Sequence, residues 1–231
     1  ATVVINYTLT DDSGNPLTDN STLTITVTGT NDAPIATADT GNTTEHATVT
    51  VDVIANDDRV DSTDVLSVSA ASIDSMSNDA DDAAVTVSTA NVSFSGTEVS
   101  FDPGTDFDYL AAGETATVVI NYTATDDDGN PLTDDSTLTI TVTGTNDAPV
   151  ATADTGATAE STTVTVNVVD NDSDVDVTDV LSVSATSIGT MSNDADNEAI
   201  TVSTASVSLS GTEVSFDPGT DFDYLAAGET A

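Results

Sequence analysis

Residues 116–143 read ATVVINYTATDDDGNPLTDDSTLTITVT, two alternating runs around an acidic, glycine- and proline-bearing turn. In the first run Val118, Ile120 and Tyr122 fall on one face, with Thr117, Asn121 and Thr123 on the other. In the second, Leu138, Ile140 and Val142 share a face and threonines take the opposite one. Side chains of an extended chain alternate between faces with period two, so each run is a strand with one buried face, and the pair is a hairpin.

Working outward from this hairpin, the chain repeats itself. ATVVINYT recurs at Ala1 and Ala116, TGTNDAP at Thr28 and Thr143, and LAAGETA at Leu110 and Leu225, each pair 115 residues apart. About four positions in five are identical between copies, which marks a tandem array. Asn31-Asp32-Ala33-Pro34 and Asn146-Asp147-Ala148-Pro149 place turn-formers and a proline between strand patterns and set the unit boundary. Residues 33–147 therefore form one complete unit. Residues 1–32 read as the closing hairpin of a preceding unit, and residues 148–231 as the start of a following unit without its last two strands. On this reading the chain is cut from something longer, and one copy's N-terminal hairpin supplies what another copy's C-terminal part lacks. That predicts head-to-tail self-association by strand complementation.

Within the complete unit, strand patterns fall at 34–39, 47–55, 65–70, 84–89, 92–94, 99–102, 116–125 and 136–143. Seven or eight short strands with turns between them predict an all-β fold: Greek-key β-sandwiches of immunoglobulin or cadherin type, end to end. No helical crossover is visible, so parallel pairing is disfavoured.

The chain has 41 acidic residues against one basic residue, Arg59, for a formal charge of −40. Such a charge ordinarily signals disorder; here the apolar residues keep strand period and the acids gather between strands. Nucleic acid and anionic membrane surfaces, which require a positive footprint, are excluded as partners. No run of apolar residues is long enough to span a bilayer. Cysteine is absent and the single histidine, His46, cannot build a zinc site. Oxygen ligands remain, and they suit a hard cation such as calcium.

Strand order gathers the acids at two ends of the unit. At the incoming end the linker, with Asn31 and Asp32, meets the loop after the second strand, with Asn56, Asp57, Asp58 and Asp61, and the loop between the last two strands, with Asp126 and Asp128. At the far end Asp39 and Glu45 group with Asp102, Asp106 and Asp108 against the outgoing Asn146 and Asp147. The next unit presents Asn171, Asp172, Asp174 and Asp176 to that junction, and repeats the first-turn acids as Asp154 and Glu160. Each group is an expected calcium ligand set, with several ions held mainly at junctions. Asn78, Asp79, Asp81 and Asp82 read instead as a solvated loop, and Met76 and Met191 as core. Arg59 stands where the second copy has Asp174, a tethered cation in place of a metal or a plain surface substitution.

The run LAAGETATVVINYTATDDDGNPLTDDSTLTITVTGTNDAPVA resembles the VCBS and cadherin-like repeats of giant type-I-secreted bacterial RTX adhesins, as does DNDSDVDVTDVLSVS. The resemblance implies calcium-rigidified sandwiches strung into an extender that holds a ligand-binding tip away from the cell for attachment or biofilm formation. It also implies an extracellular, cell-surface location and neighbouring repeats as the main partners. No glycine-rich nonapeptide array, C-terminal secretion signal or retention module occurs in these residues.

Repetition itself favours a spacer over a recognition surface, since a rod needs only similar units. A carbohydrate- or protein-binding module is the alternative. Aromatics are 4% of the chain, and Phe94, Phe101, Phe107, Tyr109 and Tyr122 are expected in the core. An enzyme is not expected: with one histidine there is no nucleophile, base and orienting set, and the paired carboxylates lack a cleft.

Overall fold

A computed structural model describes residues 1–80, 83–192 and 199–231; Asp81 and Asp82 of the acidic loop lie outside them. Among the described residues the regular structure is all strand, in four sheets, and no helix is long and apolar enough to cross a membrane.

The chain opens with a hairpin, β1 (Thr2–Thr10) and β2 (Thr18–Thr26), paired with each other alone. The central unit follows: β3 (Asp39–Thr44), β4 (Val49–Asp52), β5 (Ser67–Asn78), β6 (Asn91–Ser95), β7 (Glu98–Asp102), β8 (Thr115–Thr125) and β9 (Thr133–Thr143). One sheet has the order β3-β9-β8-β5 and the other β4-β7-β6.

The two sheets face each other through one apolar cluster. Val99 and Phe101 from β7 meet Val118, Ile120 and Tyr122 from β8 and Leu138, Ile140 and Val142 from β9, none more than 1% exposed. These are the alternating residues of the hairpin read first, so period two in the sequence becomes the buried face of a β-sandwich. Met76 joins the same core, and Phe101 and Phe107 meet edge to face at 6.3 Å between ring centroids.

Several strand expectations are corrected. The first strand runs 39–44 rather than 34–39; Ile35 makes only an isolated bridge to Asp58. That strand pairs in parallel with β9, Asp39 opposite Leu138 through Thr44 opposite Thr143. The first and last strands of the unit become neighbours by wrapping round the sandwich, so no helical crossover is needed. The third strand extends to Asn78, with register shifts near Val68 and Ile73, and residues 84–89 form no strand beyond a bridge from Ala84 to Ser77. Phe94 is 43% exposed and lies outside the core.

The third part repeats only half of this pattern: β10 (Val164–Asn167), β11 (Ser206–Ser210) and β12 (Glu213–Asp217) reproduce the three-stranded sheet in the order β10-β12-β11. Its small core holds Met191, Ala205 and Phe222. The counterparts of β3 and β5, residues 154–159 and the described part of 182–193, form no regular strand.

Candidate cation sites at the unit junctions

At the incoming end the linker is fastened by side chains. Asn31 Nδ2 donates to Asp126 Oδ2 at 3.1 Å and to the Asn130 carbonyl at 3.2 Å, and the Asp32 amide donates to Asp61 Oδ2 at 2.9 Å. The Asp126 carboxylate, 3% exposed, also accepts the Leu132 and Asp128 amides, which folds the β8–β9 loop back on itself. Asp64, 3% exposed, completes the group. Burial pushes its carboxyl up, and so do the charges of Asp128, Asp61, Asp126 and Asp127 around it. Asn31 Oδ1 is buried and accepts no hydrogen bond.

Asn31, Asp32, Asp61, Asp126 and Asp128 thus come together as expected, while Asp64 and Asp127 were missed. The Asp127 carboxylate accepts the Val65 amide at 2.8 Å, tying the two acidic loops together. Among the described residues Arg59 forms no salt bridge; its guanidinium donates to the Asp64 backbone carbonyl at 3.2 Å, beside the acidic group.

A step further into the same end lies a second group. Asp57 Oδ1 accepts the Thr37 amide at 2.7 Å, and Asp57 Oδ2 is buried without a partner. Burial raises both Asp39 and Asp57, and nearby carboxylates add to the effect. The Tyr122 hydroxyl lies 2.8 Å from the Thr37 carbonyl, 3.0 Å from Asp39 Oδ2 and 3.2 Å from the Val53 carbonyl. Asp39 therefore belongs here and not with Glu45, because β3 runs between them and an extended strand rises about 3.3 Å per residue. Asn56 Nδ2 donates to the Ala38 carbonyl at 3.4 Å, and Asp58 is exposed with its backbone paired to Ile35.

At the outgoing end Glu45 is fully buried. Its Oε1 accepts the Thr145 amide and hydroxyl, both at 2.6 Å, while Oε2 has no partner. Glu45, His46 and Asp147 offer ligand atoms all within 4.8 Å of one another. His46 Nε2 stands 3.8 Å from Asp108 Oδ1, itself buried and without a hydrogen bond. From the next unit the Asp176 carboxylate, 1% exposed, accepts the Asp147 amide at 2.9 Å through Oδ2 and leaves Oδ1 unpaired. Asp174 accepts the Asp176 amide, Asn146 Nδ2 donates to the Asp147 carbonyl, and the Val177 amide donates to the Tyr109 carbonyl across the junction.

Two expected ligands of this end have other work. Asp106 accepts the amides of Ser88, Thr89 and Ala90, and although burial works against ionisation, these bonds together hold its carboxyl below the ordinary value. Asp221 does the same for Ser203, Thr204 and Ala205, and its carboxyl falls to about 2. Asp102 closes a turn onto the Gly104 amide. In the third part Asp172 accepts the Thr152 amide and Asn171 donates to the Ala153 carbonyl, repeating Asp57 and Asn56, while Asp154 and Glu160 are exposed. Asn78 accepts the Ala80 amide and Asp79 accepts the Thr117 hydroxyl, ordinary loop bonding.

A buried carboxylate oxygen without a donor is costly. Glu45 Oε2, Asp108 Oδ1 and Asp176 Oδ1 are three such oxygens on the two units at the outgoing end, and the donor each lacks can be a cation. These oxygens come from separate loops and suit a hard cation such as calcium, while His46 adds a nitrogen beside Glu45 and Asp147.

No family model and no curated protein matches this chain. Among solved structures, the protocadherin gammaB7 EC3-6 cis-dimer is similar over 100% of this chain and 52% of its own, at 16% identity and TM-score 0.44. The protocadherin gammaB4 extracellular domain is similar over 100% of this chain and 36% of its own, at 17% identity and TM-score 0.45. An endo-fucoidan hydrolase of glycoside hydrolase family 107 is similar at 13% identity and TM-score 0.26, over 94% of this chain and 30% of its own. The chain thus spans about half or less of the length of each.

Proposed function

We propose that this chain is a structural spacer, a stretch of tandem β-sandwich repeats whose junctions are stiffened by calcium, in the extender of a bacterial surface adhesin of the RTX type. The observation that carries this reading is the outgoing junction, where Glu45 and Asp108 of one unit and Asp176 of the following unit each keep a buried oxygen without a donor. Bound there, calcium would supply positive charge to oxygens that no lysine or arginine reaches. Asp147 sits between the two units, its side chain beside Glu45 and its amide on Asp176, so closing the ligand shell would fix the angle between neighbours. The incoming junction would use Asn31, Asp61, Asp64 and Asp126 to the same end. The acidic repeat motifs support an extracellular, cell-surface setting, where calcium would reach the level of about 0.1–1 mM at which extracellular modules bind it.

Phe101, Phe107 and Tyr122 are buried and cannot serve as stacking platforms for a sugar, while Phe94 lies 43% exposed on the central unit. The test is solution scattering and thermal melting with calcium and with EDTA. Calcium should raise the melting temperature and lengthen and stiffen the particle; scattering curves and melts that superimpose in the two buffers would overturn the proposal.

A further inference from the structure

His46 is the one histidine of the chain, and its turn sets it among acids. β3 ends at Thr44 and β4 begins at Val49, so Glu45 and His46 fall in the short turn between them. Glu45 is fully buried there, while the His46 ring beside it is 52% exposed. The ring turns one nitrogen toward each of two carboxylates: Nδ1 lies 3.6 Å from Glu45 Oε1, and Nε2 lies 3.8 Å from Asp108 Oδ1. Asp147 brings a third carboxylate from the linker. Glu45, His46 and Asp147 each offer a ligand atom, all within 4.8 Å of one another.

Hydrogen bonding does not account for this arrangement. Both distances from ring to carboxylate are too long for a hydrogen bond, and Nδ1 reaches the Thr145 hydroxyl only at 3.4 Å. Glu45 Oε2 and Asp108 Oδ1 stay buried without a donor. A small dication fits the gaps. Zinc binds imidazole nitrogen at about 2.0–2.1 Å and carboxylate oxygen at about 2.0–2.2 Å, which sets neighbouring ligand atoms roughly 3–4 Å apart. The 3.6 Å between Nδ1 and Glu45 Oε1 falls in that range. Of these groups the next repeat keeps the acids, as Glu160 and Asp223, but has Ser161 where His46 stands. The oxygens are thus common to both repeats, and the nitrogen is added to one. That addition changes which metal is preferred: calcium takes six to eight oxygens, whereas imidazole suits zinc and its first-row neighbours.

We propose that the outgoing end of the central unit is a zinc site, in which His46 supplies a ring nitrogen, Glu45 and Asp147 supply carboxylate oxygens, and Asp108 or water takes the fourth position. The assignment rests on the reading of that junction as a cation site and departs from it in the metal. One histidine cannot furnish a zinc site by itself; the carboxylates around it complete the set. The incoming junction, with no histidine, keeps oxygen ligands alone. Because the Asp147 amide also donates to Asp176 of the next unit, zinc here would pin the linker to the β3–β4 turn at the point where the two units meet.

Zinc chloride titrated into the 231-residue chain in about 1 mM calcium tests this, the calcium occupying sites built of oxygen alone. With a single histidine present, the ring C–H resonances in NMR spectra report on His46 without ambiguity, and calorimetry gives affinity and stoichiometry. Zinc should bind at one ion per chain and shift those resonances. His46→Ser, which copies the next repeat, should weaken binding by about 10–100-fold or more. Asp147→Asn should weaken it likewise, whereas a lone exposed histidine would bind zinc without regard to Asp147. Equal zinc binding by the parent and His46→Ser overturns the assignment. So do ring resonances that stay in place, or an Asp147→Asn variant that binds as the parent does. The calcium reading fails separately: melts of His46→Ser that superimpose in calcium and in EDTA would sink it, whatever zinc does.

Discussion

Replacing Glu45 with glutamine separates a cation ligand from a plain buried acid, because the two roles predict opposite responses to calcium. The amide keeps Oε1 as an acceptor for the Thr145 amide and hydroxyl, both at 2.6 Å, so the loss there is charge assistance, about 1 kcal/mol. At the other oxygen, which has no partner, an unpaired buried charge is replaced by an NH2 that can donate toward Asp147, a gain of about 1–3 kcal/mol. Without calcium the variant should therefore be as stable as the parent or about 1 kcal/mol more stable. With calcium the buried ion loses a charged ligand, and breaking a buried pair costs about 3–5 kcal/mol. For a unit of this size each kcal/mol moves the melting temperature by about 4 °C. Calorimetry should show Glu45→Gln lowering Tm by roughly 10–20 °C in calcium and leaving it level or slightly higher in EDTA. An equal loss in both buffers would show that Glu45 serves Thr145 alone and would refute the cation argument.

Three further outcomes follow from the same structure. Asp39, Asp57 and Asp64 are raised above 3.8 by burial and neighbouring charge, so their ionisation opposes folding at neutral pH, and that penalty is relieved as pH falls through their folded values. Asp106 and Asp221 are lowered, so their contribution, present above 3.8, is lost only on further acidification. In EDTA the melting temperature should thus rise from pH 7 toward about pH 4 and drop below it. In calcium it should fall throughout, because protons displace the ion. Tyr122→Phe keeps the ring in the core but leaves the Thr37 and Val53 carbonyls without the hydroxyl; urea melts should show a loss of about 1–3 kcal/mol. At Gly144 a Cβ would collide with the Leu110 and Ala111 carbonyl oxygens, so Gly144→Ala should cost about 1–3 kcal/mol in the same assay and loosen the adjoining Thr145–Glu45 contact.

The strands that carry the core were legible because burial of one face writes period two into the sequence, as at Val118, Ile120 and Tyr122. The first strand was not, because DTGNTT has no apolar alternation: β3 is held by parallel pairing to β9, a contact almost a hundred residues away along the chain. Pro34, Ile35 and Ala36 imitated a strand, yet the segment only lies beside Asp58. Among the acids, grouping by loop position found both junctions, but an aspartate that caps backbone amides has the same letters around it as one that awaits a metal. Asp106 and Asp108 sit two residues apart, and only the donors at Ser88, Thr89 and Ala90 tell them apart. Depth was equally invisible: Asp64 lies among surface-type residues in the sequence and proves to be the most enclosed acid of its loop.

The parallel pairing of β3 with β9 also decides how the central unit would bear load. The chain comes in at the start of β3 and leaves at the end of β9, and the two strands run the same way over six matched residue pairs. A pull on the linkers therefore slides one strand along the other. All the backbone bonds of that seam are strained together instead of opening one after another from an end. Mechanical resistance is built into the path of the chain, at the two strands through which any tension on a string of such units must pass.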